Sequence, residues 1–284
     1  MLARIIVFVF GSIVGSFLNV CIHRMPKGES VVWPRSHCPR CQKRIPGYDN
    51  IPFISYILLK GRCRFCKEKI PLRYPLVELA TAGLMVALFN RFGLSYDFFL
   101  YMVMLWGLII ATFVDIAHRI IPDEISVGGM IIGFIMLSVT GLAFNPLKYS
   151  FLPMLRSLSG IIAGGLIIYS TGKLFDLVYF KWLKRPAING ETESMGGGDV
   201  KLLAMIGAFM GPQKALLTFF IAPFLGVVIG IVNLVTKKDH TIPYGPFLSL
   251  AALLSLFWAD KIIQLVLPTA LAIGSQTAVL QPAG

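Results

Sequence analysis

Leu2-Ala-Arg-Ile-Ile-Val-Phe-Val-Phe-Gly-Ser-Ile-Val-Gly-Ser-Phe-Leu-Asn-Val-Cys-Ile22 opens the chain, and its reading decides the fold. Only Arg4 near one end and Asn19 near the other interrupt an apolar run about as long as the roughly 20 residues an α-helix needs to cross a bilayer. Backbone amides find no water in the hydrocarbon core, so such a run crosses as a helix. A cleaved signal peptide is the rival reading. Against it, no dense basic segment precedes the run, the run is long, and no small-x-small cleavage site stands before the basic loop that follows. The segment is therefore read as a retained span. Composition agrees: of 284 residues, 56% are hydrophobic and 14% charged, with mean hydropathy +0.75. Those values exclude a disordered, collagenous or ordinary soluble polypeptide.

Seven further apolar segments follow, at Tyr74 to Phe89, Phe98 to Asp115, Ile120 to Phe144, Leu155 to Tyr179, Val200 to Met210, Leu216 to Val235 and Phe247 to Leu267. The segment from Val200 to Met210 is short and begins directly after a glycine-rich turn, so it is either a partial span or one that starts deep in the membrane. Lys and Arg set the orientation, because basic loops stay in the cytoplasm. One set of alternate connections carries 20 of the 26 basic residues, 12 of them between Arg24 and Arg73, and the other set carries six. This split places the first loop, the Asp115 end of the third span and the glycine-rich turn at the cytoplasmic face, with both termini outside. The formal charge of +12 would suit a nucleic acid, but the charge flanks apolar spans. Lipid is the expected surroundings, and no nucleic-acid partner is expected. The tail from Gly274 to Gly284 is polar and rich in small residues and is expected to be disordered.

Between the first two spans the sequence turns basic and polar and carries Cys38-Pro-Arg-Cys41 and Cys63-Arg-Phe-Cys66. Each C-x-x-C turn aims two thiolates at one point, and four soft sulfurs suit tetrahedral Zn²⁺. The 21 residues between Cys41 and Cys63 slightly exceed the usual spacing, and a turn at Pro46-Gly47 absorbs the excess. Four cysteine ligands leave no open coordination position. Zinc here is expected to be structural, holding together a loop too short and polar to build its own core. His37, beside Cys38, is the alternative ligand, although a sequence neighbour more often faces solvent. Cys21 lies in the first span and reads as a small buried hydrophobe.

Charges at the edge of an apolar span are costly and usually functional. Asp115 closes Leu108-Ile-Ile-Ala-Thr-Phe-Val-Asp115, and Asp199 closes Met195-Gly196-Gly197-Gly198-Asp199 ahead of Val-Lys-Leu-Leu-Ala-Met. Both fall on the cytoplasmic side. Two carboxylates brought together do not both ionise easily, so one keeps a proton while the other acts as base on a water, as in aspartic proteases. The glycines permit a close, non-helical approach of a peptide backbone to Asp199. Equally, Asp199 reads as the N-cap of a helix, Asp115 as the partner of Arg119 four residues on, and Asp123, after Pro122, as a rival for the role of Asp115. Lys201 is either a contact for an acidic group or a marker of topology. Gly11-x-x-x-Gly15 and Gly160-x-x-x-Gly164 predict close helix packing within the chain.

The pattern resembles the type IV prepilin peptidase family of bifunctional leader peptidases and N-methyltransferases. The resemblance runs through Gly11-Ser-Ile-Val-Gly-Ser-Phe-Leu-Asn-Val-Cys-Ile-His-Arg24, the two C-x-x-C pairs with Tyr48-Asp-Asn-Ile-Pro-Phe-Ile-Ser55 between them, and Arg73-Tyr-Pro-Leu-Val-Glu78. It continues through the Asp115 segment as far as Ile-Pro-Asp123, the G-x-G-D motif at Gly196 to Asp199, and Ile242-Pro-Tyr-Gly-Pro-Phe247. It implies an all-α polytopic membrane protein of about eight transmembrane helices with a small zinc-knuckle cytoplasmic loop domain. Residues 1–23 would form the first helix, 24–73 the four-cysteine, methyltransferase-associated loop, 74–272 the multispan aspartyl peptidase domain and 273–284 a flexible tail. Asp115 and Asp199 would be the catalytic pair, with Gly196 and Gly198 supporting them. The substrates would be prepilins or type II secretion pseudopilins, cut after glycine beyond a short basic leader at the cytoplasmic face of the bacterial inner membrane. The new N terminus would then be methylated from S-adenosylmethionine. No glycine-rich nucleotide fingerprint follows a strand, so the methyl donor has no assigned residues beyond the neighbourhood of Glu78 and Tyr48 to Ser55. A multispan transporter or channel is the reading from another class, disfavoured because the acidic residues gather at one face and not at the midplane. A non-enzymatic zinc-loop assembly factor is a third.

Overall fold

The computed structural model describes residues 1–143, 151–183, 195–236 and 243–266. Among them the regular structure is helical: α1 (Leu2–Arg24), the short α2 (Ile54–Leu58), α3 (Arg73–Phe92), α4 (Tyr96–His118), α5 (Asp123–Ala143), α6 (Leu152–Asp176), α7 (Gly197–Met210), α8 (Pro212–Thr236) and α9 (Gly245–Val266). No strand occurs among the described residues, only isolated bridges at His37–Arg44 and Arg62–Lys69.

Each of the eight apolar segments forms a helix. Six of them (α1, α3, α4, α5, α6 with its π-helical extension, and α9) are long and apolar enough to cross a membrane. In α8 the apolar stretch is Pro212–Val228. Some boundaries differ from the sequence reading, for local reasons. α5 starts at Asp123 and not at Ile120, because Arg119 turns into the left-handed region at φ 58° and ends α4, and Pro122 then supplies the carbonyl that receives the Ile125 and Ser126 N–H groups. α7 starts at Gly197 and takes the glycines into its first turn. The ends expected at Phe144 and Leu267, and the tail from Gly274, lie outside the described residues.

α7 is the element around which five other helices gather. It has 14 residues, and at about 1.5 Å per residue it spans about 21 Å, short of the roughly 30 Å hydrocarbon core. Every side chain from Leu202 to Met210 is buried, as expected of a helix apolar all round and enclosed by other helices. α5, α6, α8, α9 and α4 all pack on it. The closest approach is to α6, where a Cβ on Gly160 would collide with the Gly207 carbonyl and one on Gly164 would lie 2.5 Å from the Leu203 carbonyl oxygen. The other small-residue pair joins α1 to α3: a Cβ on Gly15 would sit 2.7 Å from the Glu78 Cα, and one on Gly11 2.8 Å from the Ala82 Cα. Both pairs are contacts within the chain, as the sequence predicted. Large apolar side chains such as Phe10, Phe17, Ile131, Ile162, Phe224 and Val228 remain exposed on the outer faces, where lipid would cover them.

Candidate active site and metal centre

Three helix ends converge on the first candidate site. Asp115 lies in the last turn of α4 and is 6% exposed. Its Oδ2 accepts the backbone N–H of Gly245, the first residue of α9, at 2.9 Å. A helix N terminus favours an anion, because its first N–H groups lack intrahelical partners. The approach is close enough that a Cβ on Gly245 would lie 2.7 Å from the same oxygen. Arg119 adds positive charge toward Asp115 from the end of α4. Asp199 sits in the first turn of α7, half-buried, and its N–H donates to the Gly196 carbonyl at 3.1 Å. The N-cap is Gly196, so Asp199 is not the capping residue. The carboxylates of Asp115 and Asp199 are near enough to interact electrostatically, and Tyr244 interacts with Asp199 as well. The Tyr244 hydroxyl is buried with no hydrogen-bond partner.

The glycine motif has a steric logic. A Cβ on Gly196 would be 3.6 Å from Asp199 Oδ2, and one on Gly198 would be 3.2 Å from Ile121 Cβ, whereas one on Gly197 would meet nothing within 4 Å. Of the two fixed positions of G-x-G-D, Gly198 is the tight one and Gly196 leaves room for an ordinary van der Waals contact, while the variable position is open. Asp123 is solvent-exposed and pairs with Lys201 at 2.7 Å, so that pair ties the start of α5 to the first turns of α7.

The second centre is formed by the loop between α1 and α3. The sulfurs of Cys38, Cys41, Cys63 and Cys66 all lie within 4.8 Å of one another. Each knuckle closes in the same way: Cys38 N–H donates to Lys43 O at 3.0 Å and Cys63 N–H to Glu68 O at 2.8 Å, while Gln42 and Lys67, each just after a second cysteine, both take φ 57°. Four thiolates around one ion at about 2.3 Å would be about 3.8 Å apart in a tetrahedron, and Cys38 Sγ to Cys66 Sγ is 3.8 Å. The donor set therefore fits a tetrahedral metal ion. Without a metal the cluster splits its protons: the Cys66 backbone N–H directed at its sulfur brings the Cys63 thiol down to about 7, while burial and the neighbouring sulfurs push Cys66 up to about 12. His37 is half-buried and its Nδ1 pairs with Arg35 O, outside the sulfur cluster. Cys21 is buried in α1.

Ion pairs and contacts with the helices hold the loop. Arg64 grips Asp49 with two hydrogen bonds of 2.6 Å, and this guanidinium holds the Asp49 carboxyl below the usual carboxylate range. Arg40 pairs with Glu68. Glu78 of α3 accepts the Phe53 N–H at 2.7 Å, Asn19 of α1 donates to Tyr74 O at 3.0 Å, and the Phe8 and Phe53 rings meet edge to face at 5.9 Å. In sequence the Tyr244-Gly245 segment is no more than part of a motif. Its contact with Asp115 spans 130 residues, and no local signal announces it.

Two family models divide the chain between them: "Bacterial Peptidase A24 N-terminal domain" over residues 9–92 and "Type IV leader peptidase family" over residues 102–231. Among characterised relatives, proteins named prepilin leader peptidase/N-methyltransferase are similar along nearly their whole length. That of Aeromonas salmonicida is 33% identical over 94% of this chain and 94% of its own. That of Stutzerimonas stutzeri is 35% identical over 89% and 90%, and that of Pseudomonas aeruginosa 34% over 89% and 89%. No solved structure matches significantly. With both family models in register and relatives this similar from end to end, the chain belongs to the type IV prepilin leader peptidase family.

Proposed function

We propose that this protein is a membrane aspartyl endopeptidase and N-methyltransferase that removes the leader from prepilins or pseudopilins and methylates the N terminus it exposes. The observation that carries the peptidase half is the placing of Asp115 and Asp199, from separate helices, within electrostatic reach of each other at one end of the bundle. One carboxyl keeps its proton and hydrogen-bonds the scissile carbonyl oxygen, while the other takes a proton from a water that attacks the carbonyl carbon. Collapse of the resulting diol breaks the C–N bond and passes a proton to the leaving nitrogen. Gly245 N–H fixes one oxygen of Asp115, which leaves the other for the water or the substrate. The open space at Gly197 and the absence of side chains at Gly196 and Gly198 let an extended peptide reach Asp199.

The four cysteines would hold zinc with no vacant position, so the metal's contribution is to fold the loop. S-adenosylmethionine, when bound, supplies an electrophilic methyl group for the neutral α-amine. The sequence charge bias supports a cytoplasmic position for both loop and aspartates, in what would be the bacterial inner membrane, where a basic leader would stay.

The test is mass spectrometry of a prepilin's N terminus after incubation with the purified protein and S-adenosylmethionine. A shortened, methylated terminus is expected from the wild type. Asp115→Asn and Asp199→Asn, each alone, are expected to leave the precursor uncut, although the first keeps an acceptor for Gly245 N–H and so remains folded. Normal cleavage by both variants would overturn the assignment.

A further inference from the structure

A cavity of about 670 Å³ lies between the four-cysteine loop and the ends of α1 and α3 that face it. This volume is within the roughly 300–1,000 Å³ of small-molecule sites, and the cavity is separate from the Asp115–Asp199 end of α4 and α7. Its floor holds polar groups that the fold leaves unspent. Asn19, 2% exposed, has a buried Oδ1 with no hydrogen-bond partner, and Arg73 has a buried Nε in the same condition. Glu78, 8% exposed, projects a carboxylate there with Phe53 N–H on one oxygen. An unpartnered buried polar atom costs about 1–3 kcal/mol, so the two orphaned atoms, Asn19 Oδ1 and Arg73 Nε, beside the Glu78 carboxylate mark a place where a ligand completes the hydrogen bonding. The acceptors Asn19 Oδ1 and the Glu78 carboxylate call for a cationic partner, and the Arg73 guanidinium calls for a carboxylate. Above the floor the walls mix charged side chains with the rings of Phe53, Tyr56 and Phe65, Tyr56 packed beneath Gly61 and Phe65 under Lys43. A flat heterocycle stacks well on such rings.

We propose that this cavity is the S-adenosylmethionine site, with Arg73 taking the α-carboxylate of the methyl donor and Glu78 with Asn19 taking its α-ammonium and sulfonium cations. The inference rests on the methyltransferase reading above and gives it an address. Cys38 and Cys63 also line the cavity, so the metal centre shapes one wall. Loss of the metal therefore removes the donor site without touching the aspartates.

Equilibrium dialysis of radiolabelled S-adenosylmethionine against the detergent-purified full-length protein, with no prepilin present, tests this directly. Saturable binding is expected for the wild type. Glu78→Gln, which retains an acceptor for Phe53 N–H, and Arg73→Gln are each expected to bind at least tenfold more weakly. Zinc content and thermal melting report their folding, and S-adenosylhomocysteine is expected to compete in every case. Wild-type binding retained at full strength by both folded variants would overturn the placement while leaving the methyltransferase reading intact. A folded wild type that cleaves prepilin but shows no saturable binding would overturn the methyltransferase reading itself.

Discussion

Gly245 is a residue whose side chain, a single hydrogen, sets the position of another residue's carboxylate. Its Cβ position lies 2.7 Å from Asp115 Oδ2, so Gly245→Ala is expected to push the aspartate away and lower kcat/KM for prepilin cleavage at least tenfold, equivalent to about 1.4 kcal/mol. A normal rate from the purified variant would show that this contact does not position the carboxylate. The glycine motif makes a sharper contrast. Gly197→Ala is expected to cleave within about twofold of wild type, because nothing lies in its way, whereas Gly198→Val collides with Ile121 and is expected to lose most activity. Equal rates for the two would remove the steric account of G-x-G-D. At this scale the sequence revealed much. Asp115, Asp199 and the four cysteines stand out because charge and thiol are conspicuous among apolar residues. Gly245 does not, since its significance lies wholly in what it touches.

Among the elements, α7 depends on α6. The backbones meet at Gly160 and Gly207 with no room for a methyl group, so Gly160→Ala must force the helices apart. A cost of about 1–3 kcal/mol is expected, read as a lower melting temperature in detergent, and because α7 carries Asp199 the peptidase rate should fall with it. In the loop, Arg64 keeps Asp49 ionised to lower pH than an isolated carboxyl. That pair contributes stability in full above the ordinary carboxylate pKa of about 4, and the contribution fades as pH falls through the depressed value. The gap in loop stability between wild type and Asp49→Asn should accordingly be constant near neutrality and narrow only in acid, as followed by hydrogen exchange of loop amides. A gap that widened in acid would exclude this pairing as its origin. Apolar runs located all eight helices, but the run of α7 is too short to say whether it spans, and with no polar face it has no period to show what encloses it. Its place at the centre of the bundle comes from glycine contacts on a partner helix some 40 residues away.

The whole molecule has two centres that share one scaffold, and they should separate on mutation. Cys38→Ser combined with Cys41→Ser is expected to abolish stoichiometric zinc, measured by atomic absorption, and to depress methylation far more than cleavage. Intact methylation by zinc-free protein would break the link between them. Reporter fusions after Lys69 and after His118 are expected on the same side of the membrane, opposite to one after Leu94. The sequence by itself determined the membrane class, the eight apolar helices and the residue types able to do chemistry. Each of these depends on composition or short-range spacing, which a chain carries before it folds. Only the tertiary structure decided that α9 lends its first N–H to Asp115, that α7 is enclosed, and that Asn19, Arg73 and Glu78 face one cavity beneath the cysteine loop. Those relations join residues far apart in the chain, and they exist only once side-chain packing has fixed which helix faces meet.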